Sequence, residues 1–179
     1  MTVEPCVLVI SGLPGVGKST TARLVASRLD RGAYIEADQL QQMIVAGGVW
    51  PDGSGVISEE ASAQLALRLH NACLLARSFL GAGFTAVVDD IVVADRLVRL
   101  LVDLEGLPVR FVMLAPPFEH VRQRWIDMGS PFADTWGWID EEIRLRTKRI
   151  GLWLDTADLT PEQTADQIIT RLDEAAVSA

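Results

Sequence analysis

An α/β fold, with a parallel sheet covered by helices on both faces, is the class this sequence predicts, and three observations predict it. Short apolar runs alternate with helical patterns along the chain. A glycine-rich turn, Gly12-Leu13-Pro14-Gly15-Val16-Gly17-Lys18-Ser19, joins the first apolar run to the first helical pattern. The composition, 49% hydrophobic and 22% charged over 179 residues, suits one domain with a full core, taken as residues 1–179.

Each element has its own signal. Val7-Leu8-Val9-Ile10 reads as a buried strand, because the run has no polar face. After the turn, Thr21, Leu24, Val25 and Leu29 recur at helical spacing. Ala33 to Glu36 is a short second strand, followed by a helix over 38–44 with Asp38 at its N-cap. Residues 47–55, rich in glycine and proline, form a loop. A long helix over 57–80 follows. Its apolar face is marked by Leu65, Leu69, Ala72 and Ala76, and Gly81-Ala82-Gly83 ends it. Phe84 to Val88 is a third strand, 95–104 a helix, and Val109 to Leu114 a fourth strand. Pro116-Pro117 opens a helix running through Arg124. Met128-Gly129-Ser130-Pro131 interrupts the chain before a patch holding Trp136 and Trp138. A helix over 139–149 and a strand over 151–155 come next. The last helix begins with a capping box: Thr160 at N-cap, Pro161 at N1 and Gln163 at N3.

Charge and composition exclude several classes. A formal net charge of −8 argues against sequence-independent nucleic-acid binding, which needs clustered Lys and Arg. No apolar run has the length of a membrane span. The first residues lack a basic region and lead straight into the first strand, so no signal peptide is expected. Cys6 and Cys73 stand alone without metal-ligand spacing and read as buried thiols in a reducing cytoplasm.

The glycine-rich turn matches G-x-x-x-x-G-K-[ST] between a strand and a helix. That context predicts a phosphate cradle for a nucleoside triphosphate, formed by Gly12, Pro14, Gly15, Val16, Gly17, Lys18, Ser19 and Thr20. Glycines let backbone N–H groups converge on the β-phosphate, Lys18 bridges β- and γ-phosphates, and the Ser19 hydroxyl ligates Mg²⁺. Ligands of such sheets bind outside the carboxyl ends of the strands. Those ends deliver Glu36 and Asp38, then Asp89 and Asp90, then Asp155 and Asp158. Acids gathered beside a triphosphate call for Mg²⁺ between them. Asp38 is the candidate general base, the bland alternative being a helix cap. Glu36 is either a ligand of the metal's water or a solvated strand end. Asp89, closing an apolar strand, resembles a Walker B acid; Asp90 contacts substrate or caps the next turn, and the assignment within the pair stays open.

The acceptor pocket is expected between the Asp38 helix, the 47–55 loop and the long helix, a region offering Trp50, Arg68, His70, Asn71 and Arg77. Trp50 is a candidate cover for a ring-bearing substrate, His70 a satisfied helix residue, and Trp136 and Trp138 core packing. No cluster of arginines stands out, which points to a neutral, hydroxyl-bearing acceptor.

On these residues the chain resembles the P-loop small-molecule kinases of the shikimate- and gluconate-kinase group, and within it chloramphenicol phosphotransferase-like proteins. The resemblance rests on the phosphate loop, on Glu36-Ala37-Asp38, on Val87-Val88-Asp89-Asp90 and on Asp155-Thr156-Ala157-Asp158. It implies a three-layer α/β/α P-loop NTPase fold with five parallel strands in the order 2-3-1-4-5 and a small lid around 125–138. It implies ATP and Mg²⁺, Asp38 as base, Glu36 in the metal's water shell, Thr156 in the adenine-contacting loop, and a lid arginine on the phosphates. Arg124 is taken as the catalytic one and Arg122 as a nucleotide contact. The chain departs from the pattern where the lid's basic cluster belongs, reading Met128-Gly129-Ser130-Pro131-Phe132. Arg144, Arg146, Lys148 and Arg149 are further candidates to reach the phosphates, most of them reading as exposed helical cations. The activity implied is ATP-dependent phosphoryl transfer to a small-molecule hydroxyl, an antibiotic or secondary metabolite, by a cytoplasmic monomer or homodimer. The alternatives are a non-catalytic ATP-binding resistance or regulatory protein and a kinase of nucleotides or nucleic-acid ends.

Overall fold

The computed structural model describes residues 4–53, 55–130 and 135–177. Pro131 and Phe132, and with them part of the expected lid, lie outside the described residues, as does Ser54 of the 47–55 loop. In chain order the elements are β1 (Val7–Gly12), α1 (Lys18–Arg28), β2 (Gly32–Glu36), α2 (Ala37–Gln42), α3 (Glu59–Gly81), β3 (Thr85–Asp89) and α4 (Asp95–Asp103). They continue with β4 (Val109–Leu114), α5 (Phe118–Asp127), α6 (Gly137–Glu141), a π-helical turn (Glu142–Arg146), β5 (Leu152–Leu154), α7 (Pro161–Thr170) and a 3₁₀ turn (Leu172–Ala175).

All five strands pair in parallel in the order β2-β3-β1-β4-β5, as expected. β1 is central and buried along its whole length, which explains its unbroken apolar run. α1 and α7 pack together over one face, α3 and α4 over the other, as right-handed crossovers require. Leu8, Ile10, Leu69, Phe111, Met113 and Trp125 are among the fully buried side chains of the core. Register sets the site: Ile10 and Glu36 both stand level with Asp89, so β2 and β3 finish together while β1 runs on to Gly12. No helix among the described residues is long and apolar enough to cross a membrane.

Local signals survive where they are self-contained. The capping box at Thr160 forms with both of its hydrogen bonds. Two expectations are corrected. Asp38 is not the cap of α2; Glu36 holds that position, and Asp38 sits in the first turn with its carboxylate turned to an arginine of α3. The helix expected over 139–149 is α6 followed by the π turn and stops at Arg146. Thr147 ends it, donating its hydroxyl back to the Glu142 carbonyl at 2.9 Å and accepting the Ala94 N–H at 2.9 Å.

Candidate active site

β1 ends at Gly12, packed so tightly that a Cβ there would stand 2.6 Å from the Leu114 carbonyl oxygen. The loop then reaches Gly17, which caps α1 at φ 96°, a conformation only glycine adopts without strain. Val16 is buried beneath the loop, and Thr20 is exposed on the first turn of α1. Trp125 of α5 supports the loop from below. Its indole Nε1 donates to the Pro14 carbonyl at 3.1 Å, and a Cβ on Gly15 would stand 2.7 Å from that nitrogen. Lys18 donates its ammonium to the Leu13 carbonyl at 2.9 Å. Burial lowers the Lys18 pKa, while Asp89, Asp38 and Asp90 pull it back up.

Asp89 closes β3 beside Lys18 and Ser19, whose hydroxyl helps draw its carboxyl pKa down. Tyr34 of β2 donates its hydroxyl to Asp89 Oδ2 at 3.2 Å. Burial raises the Asp89 pKa against the opposing pull of Lys18 and these hydrogen bonds. Glu36 does not join this group. Its Oε2 accepts from Gln39 at 2.7 Å and pairs with Arg23 at 3.4 Å, on the α1 side of the strand end.

Asp38 and Asp90 are joined by a side chain the sequence offered only as one candidate among several. Arg68 of α3, 4% exposed, donates Nη1 to Asp38 Oδ1 at 2.7 Å and Nη2 to Asp90 Oδ1. Asp90 Oδ2 accepts from Arg96 Nη2 at 2.8 Å, and Oδ1 also accepts the Ile91 N–H at 2.7 Å. The result is a continuous chain Asp38–Arg68–Asp90–Arg96. Asp90, with its side chain 1% exposed, holds two arginines in place and accepts three hydrogen bonds in all. Asp38, with 61% of its side chain exposed, is the end of the chain open to solvent.

These residues border one cavity of about 930 Å³. Pro14, Gly15, Lys18 and Ser19 form its phosphate end, with Asp38, Asp89 and Asp90 alongside. Trp50, Pro51, Ile57, Leu65, Trp136 and Trp138 give it an apolar wall. Trp50 takes the expected place, 47% exposed on its loop. Trp136 and Trp138, expected in the core, are half-buried and line the cavity with ring centroids 6.0 Å apart. The loop bearing Trp50 hangs from Gln64 of α3. Gln64 Oε1 accepts from the Val49 N–H at 2.8 Å and from Gln41 at 3.0 Å, while Nε2 donates to the Gly47 carbonyl at 2.8 Å and to Glu60 at 2.7 Å. An arginine cluster, absent from the linear sequence, is assembled by the fold: Arg68, Arg96, Arg99 and Arg146 all border the cavity. His70 and Arg77 lie elsewhere and tie α3 to α4 through Asp103.

Arg124 is placed differently from its expected catalytic position. Its Nη2 donates to the Ala157 carbonyl at 3.1 Å, bracing the loop after β5, and neither it nor the half-buried Arg122 borders the cavity. Thr156, in that loop, is buried, and its hydroxyl has no partner among the described residues. Both cysteines are free and buried; burial pushes the Cys73 thiol up to about 12, which leaves it unreactive.

The fold is shared with known structures. The tunicamycin resistance protein of Deinococcus radiodurans superposes with a TM-score of 0.69 at 25% identity, covering 98% of this chain and 99% of that one. A sugar kinase from Janibacter sp. HTCC2649 gives 0.68 at 22% identity with 96% of each chain covered. Shikimate kinase from Acinetobacter baumannii, solved with shikimate, gives 0.63 at 16% identity, covering 94% and 93%. No curated protein sequence matches. Residues 7–127, from β1 to the end of α5, match the AAA domain family. The chain belongs to that family, and its likeness is to the P-loop small-molecule kinase group.

Proposed function

We propose that the chain is an ATP-dependent phosphotransferase moving the γ-phosphoryl group onto a hydroxyl of a small molecule. One observation carries the reading: Asp38 borders the same cavity as Lys18 and Ser19 of the phosphate loop, with Asp89 beside them. A base and a phosphate cradle facing one volume are what in-line transfer requires. The triphosphate lies along Gly12 and Pro14 to Thr20, with Thr156 on the base side. The oxygen donors at this end suit Mg²⁺: the Ser19 hydroxyl and the Asp89 carboxylate adjoin each other. Among the described residues no group of three or more His, Cys, Asp or Glu forms a protein cage, as fits a metal carried largely by phosphates. Ser19, and Asp89 through water, would hold the ion, which when bound neutralises charge on the phosphate oxygens.

Asp38 accepts the proton of the acceptor hydroxyl. The hydroxyl oxygen forms the new bond to the γ-phosphorus while the bond from phosphorus to the β–γ bridging oxygen breaks, and ADP leaves with that electron pair. Lys18 would supply positive charge to the β- and γ-phosphates, and Arg68 pairs with the Asp38 carboxylate at the cavity. Asp38→Asn tests the assignment with Mg·ATP, a panel of hydroxylated metabolites and antibiotics, and mass detection of added phosphoryl groups. Transfer should fall by about 10²-fold or more while the melting shift given by Mg·ATP persists. Transfer at the parent rate would show that another group is the base. A resistance role is the second reading, favoured by the likeness to the tunicamycin resistance protein. Protection of cells against an antibiotic, with the drug's mass unchanged after incubation with Mg·ATP, would favour sequestration over transfer.

A further inference from the structure

The chain has a single tyrosine, Tyr34, set in β2 two residues before Glu36. Side chains alternate along a strand, so Ala33 and Ile35 are buried on one face while Tyr34 and Glu36 are half-buried on the other. That second face meets α1. The Arg23 guanidinium of α1 lies over the Tyr34 ring, 4.7 Å from its centroid, and the same arginine pairs with Glu36 at 3.4 Å. From this seat the phenol reaches across to the neighbouring strand and donates to Asp89 Oδ2 at 3.2 Å.

Packing alone does not call for the hydroxyl, since a phenylalanine ring would fill the same space beneath Arg23. Nor is it needed to bring polar company to Asp89, which already has Lys18 and the Ser19 hydroxyl close by. What the phenol adds is control of rotation. The terminal torsion of an aspartate is broad, so a carboxylate held loosely takes up many settings. A donor fixed to one oxygen narrows them, as the outer partners of metal ligands do. Ser19 and Asp89 border the cavity, and Tyr34 does not, so the tyrosine supports the carboxylate from outside it.

We propose that Tyr34 is a positioning residue for Mg²⁺: its phenol holds Asp89 Oδ2 so that the carboxylate meets the metal's water beside the Ser19 hydroxyl. Glu36 then serves the metal at one remove, through Arg23 and the ring. The inference rests on reading Ser19 and Asp89 as the metal site.

The test is calorimetry of ATP binding to the parent chain and to Tyr34→Phe, in excess Mg²⁺ and in EDTA. The ratio of the two affinities is the metal's contribution. Tyr34→Phe should weaken binding in Mg²⁺ by about tenfold and leave binding in EDTA within about twofold of the parent. The EDTA affinity doubles as the control for folding. In an Asp89→Ala background the same replacement should change neither affinity, because the group it acts through is gone. The chain labelled with 3-fluorotyrosine carries one ¹⁹F resonance, and adding Mg²⁺ to its ATP complex should shift that resonance unless Asp89 is replaced by alanine. Equal weakening with and without Mg²⁺, no weakening in either, or a resonance indifferent to Mg²⁺ would overturn the proposal and leave the metal site in place. Mg²⁺ that fails to strengthen ATP binding by the parent chain would remove the metal site and the proposal with it.

Discussion

Replacing Asp90 by alanine isolates the energetics of the buried chain of ion pairs. The Asp90 side chain is 1% exposed, and its two oxygens accept from Arg68, Arg96 and the Ile91 N–H. Alanine strands two guanidinium groups around an empty position, one of them on a side chain only 4% exposed, and leaves Arg68 with the solvent-facing Asp38 alone. Removing one partner of a buried pair costs about 3–5 kcal/mol, because the remaining charge stays desolvated. For a chain of this size each kcal/mol lowers the melting temperature by about 2–4 °C, so a fall of about 6–20 °C is expected. Scanning calorimetry at neutral pH reads it directly. The double variant Arg68→Met with Asp90→Ala removes one stranded cation and should be more stable than Asp90→Ala by itself. A loss under about 1 kcal/mol for the single variant, or a double variant weaker than the single, would refute the reasoning.

Two further outcomes follow from the phosphate end. Trp125→Phe keeps an aromatic ring but removes the donor to the Pro14 carbonyl. The loss of about 0.5–1.5 kcal/mol should weaken Mg·ATP binding by about 2- to 10-fold, read by calorimetry; unchanged affinity would mean the loop holds itself. Asp89 is held above its ordinary value of 3.8 chiefly by burial, so its ionised form opposes folding. Its favourable contribution is complete below that value and is lost as pH rises through the folded-state pKa. Asp89→Asn should therefore raise the melting temperature of the nucleotide-free chain at pH 7, with the gain disappearing in acid, while weakening Mg²⁺-dependent ATP binding. A lower melting temperature at pH 7 would show that the attraction of Lys18, with the pull of the Ser19 and Tyr34 hydroxyls, outweighs the burial cost.

The parts of the molecule legible in the sequence are those fixed by neighbours in the chain. The phosphate loop, the five strands and the Thr160 box each depend on residues within a few positions of one another. What escaped notice depends on residues far apart. Arg68 meets Asp38 across 30 positions and Asp90 across 22, and no periodicity marks a helical arginine as the link between two strand ends. Arg96 and Arg99 look like ordinary surface cations until α4 and the π turn, which carries the candidate Arg146, come to one rim. Thr147 is similar: its spacing suits a continuing helix, but its hydroxyl is claimed by Ala94, 53 positions away. The resemblance implies Glu36 in the metal's water shell and Arg124 as a lid arginine on the phosphates. Each is drawn aside by a partner that wins its polar atoms, Gln39 in one case and Ala157 in the other.

Gln64 grips its loop mainly by main-chain atoms, the amide of Val49 and the carbonyl of Gly47, so the identity of the side chains nearby is irrelevant to the grip. Trp50 and Pro51 can thus be exchanged while the tether stays intact and the acid at position 38 is undisturbed. Retargeting the protein to a new molecule, by evolution or by engineering, becomes a matter of rewriting a few letters on a strap whose buckle is already fastened.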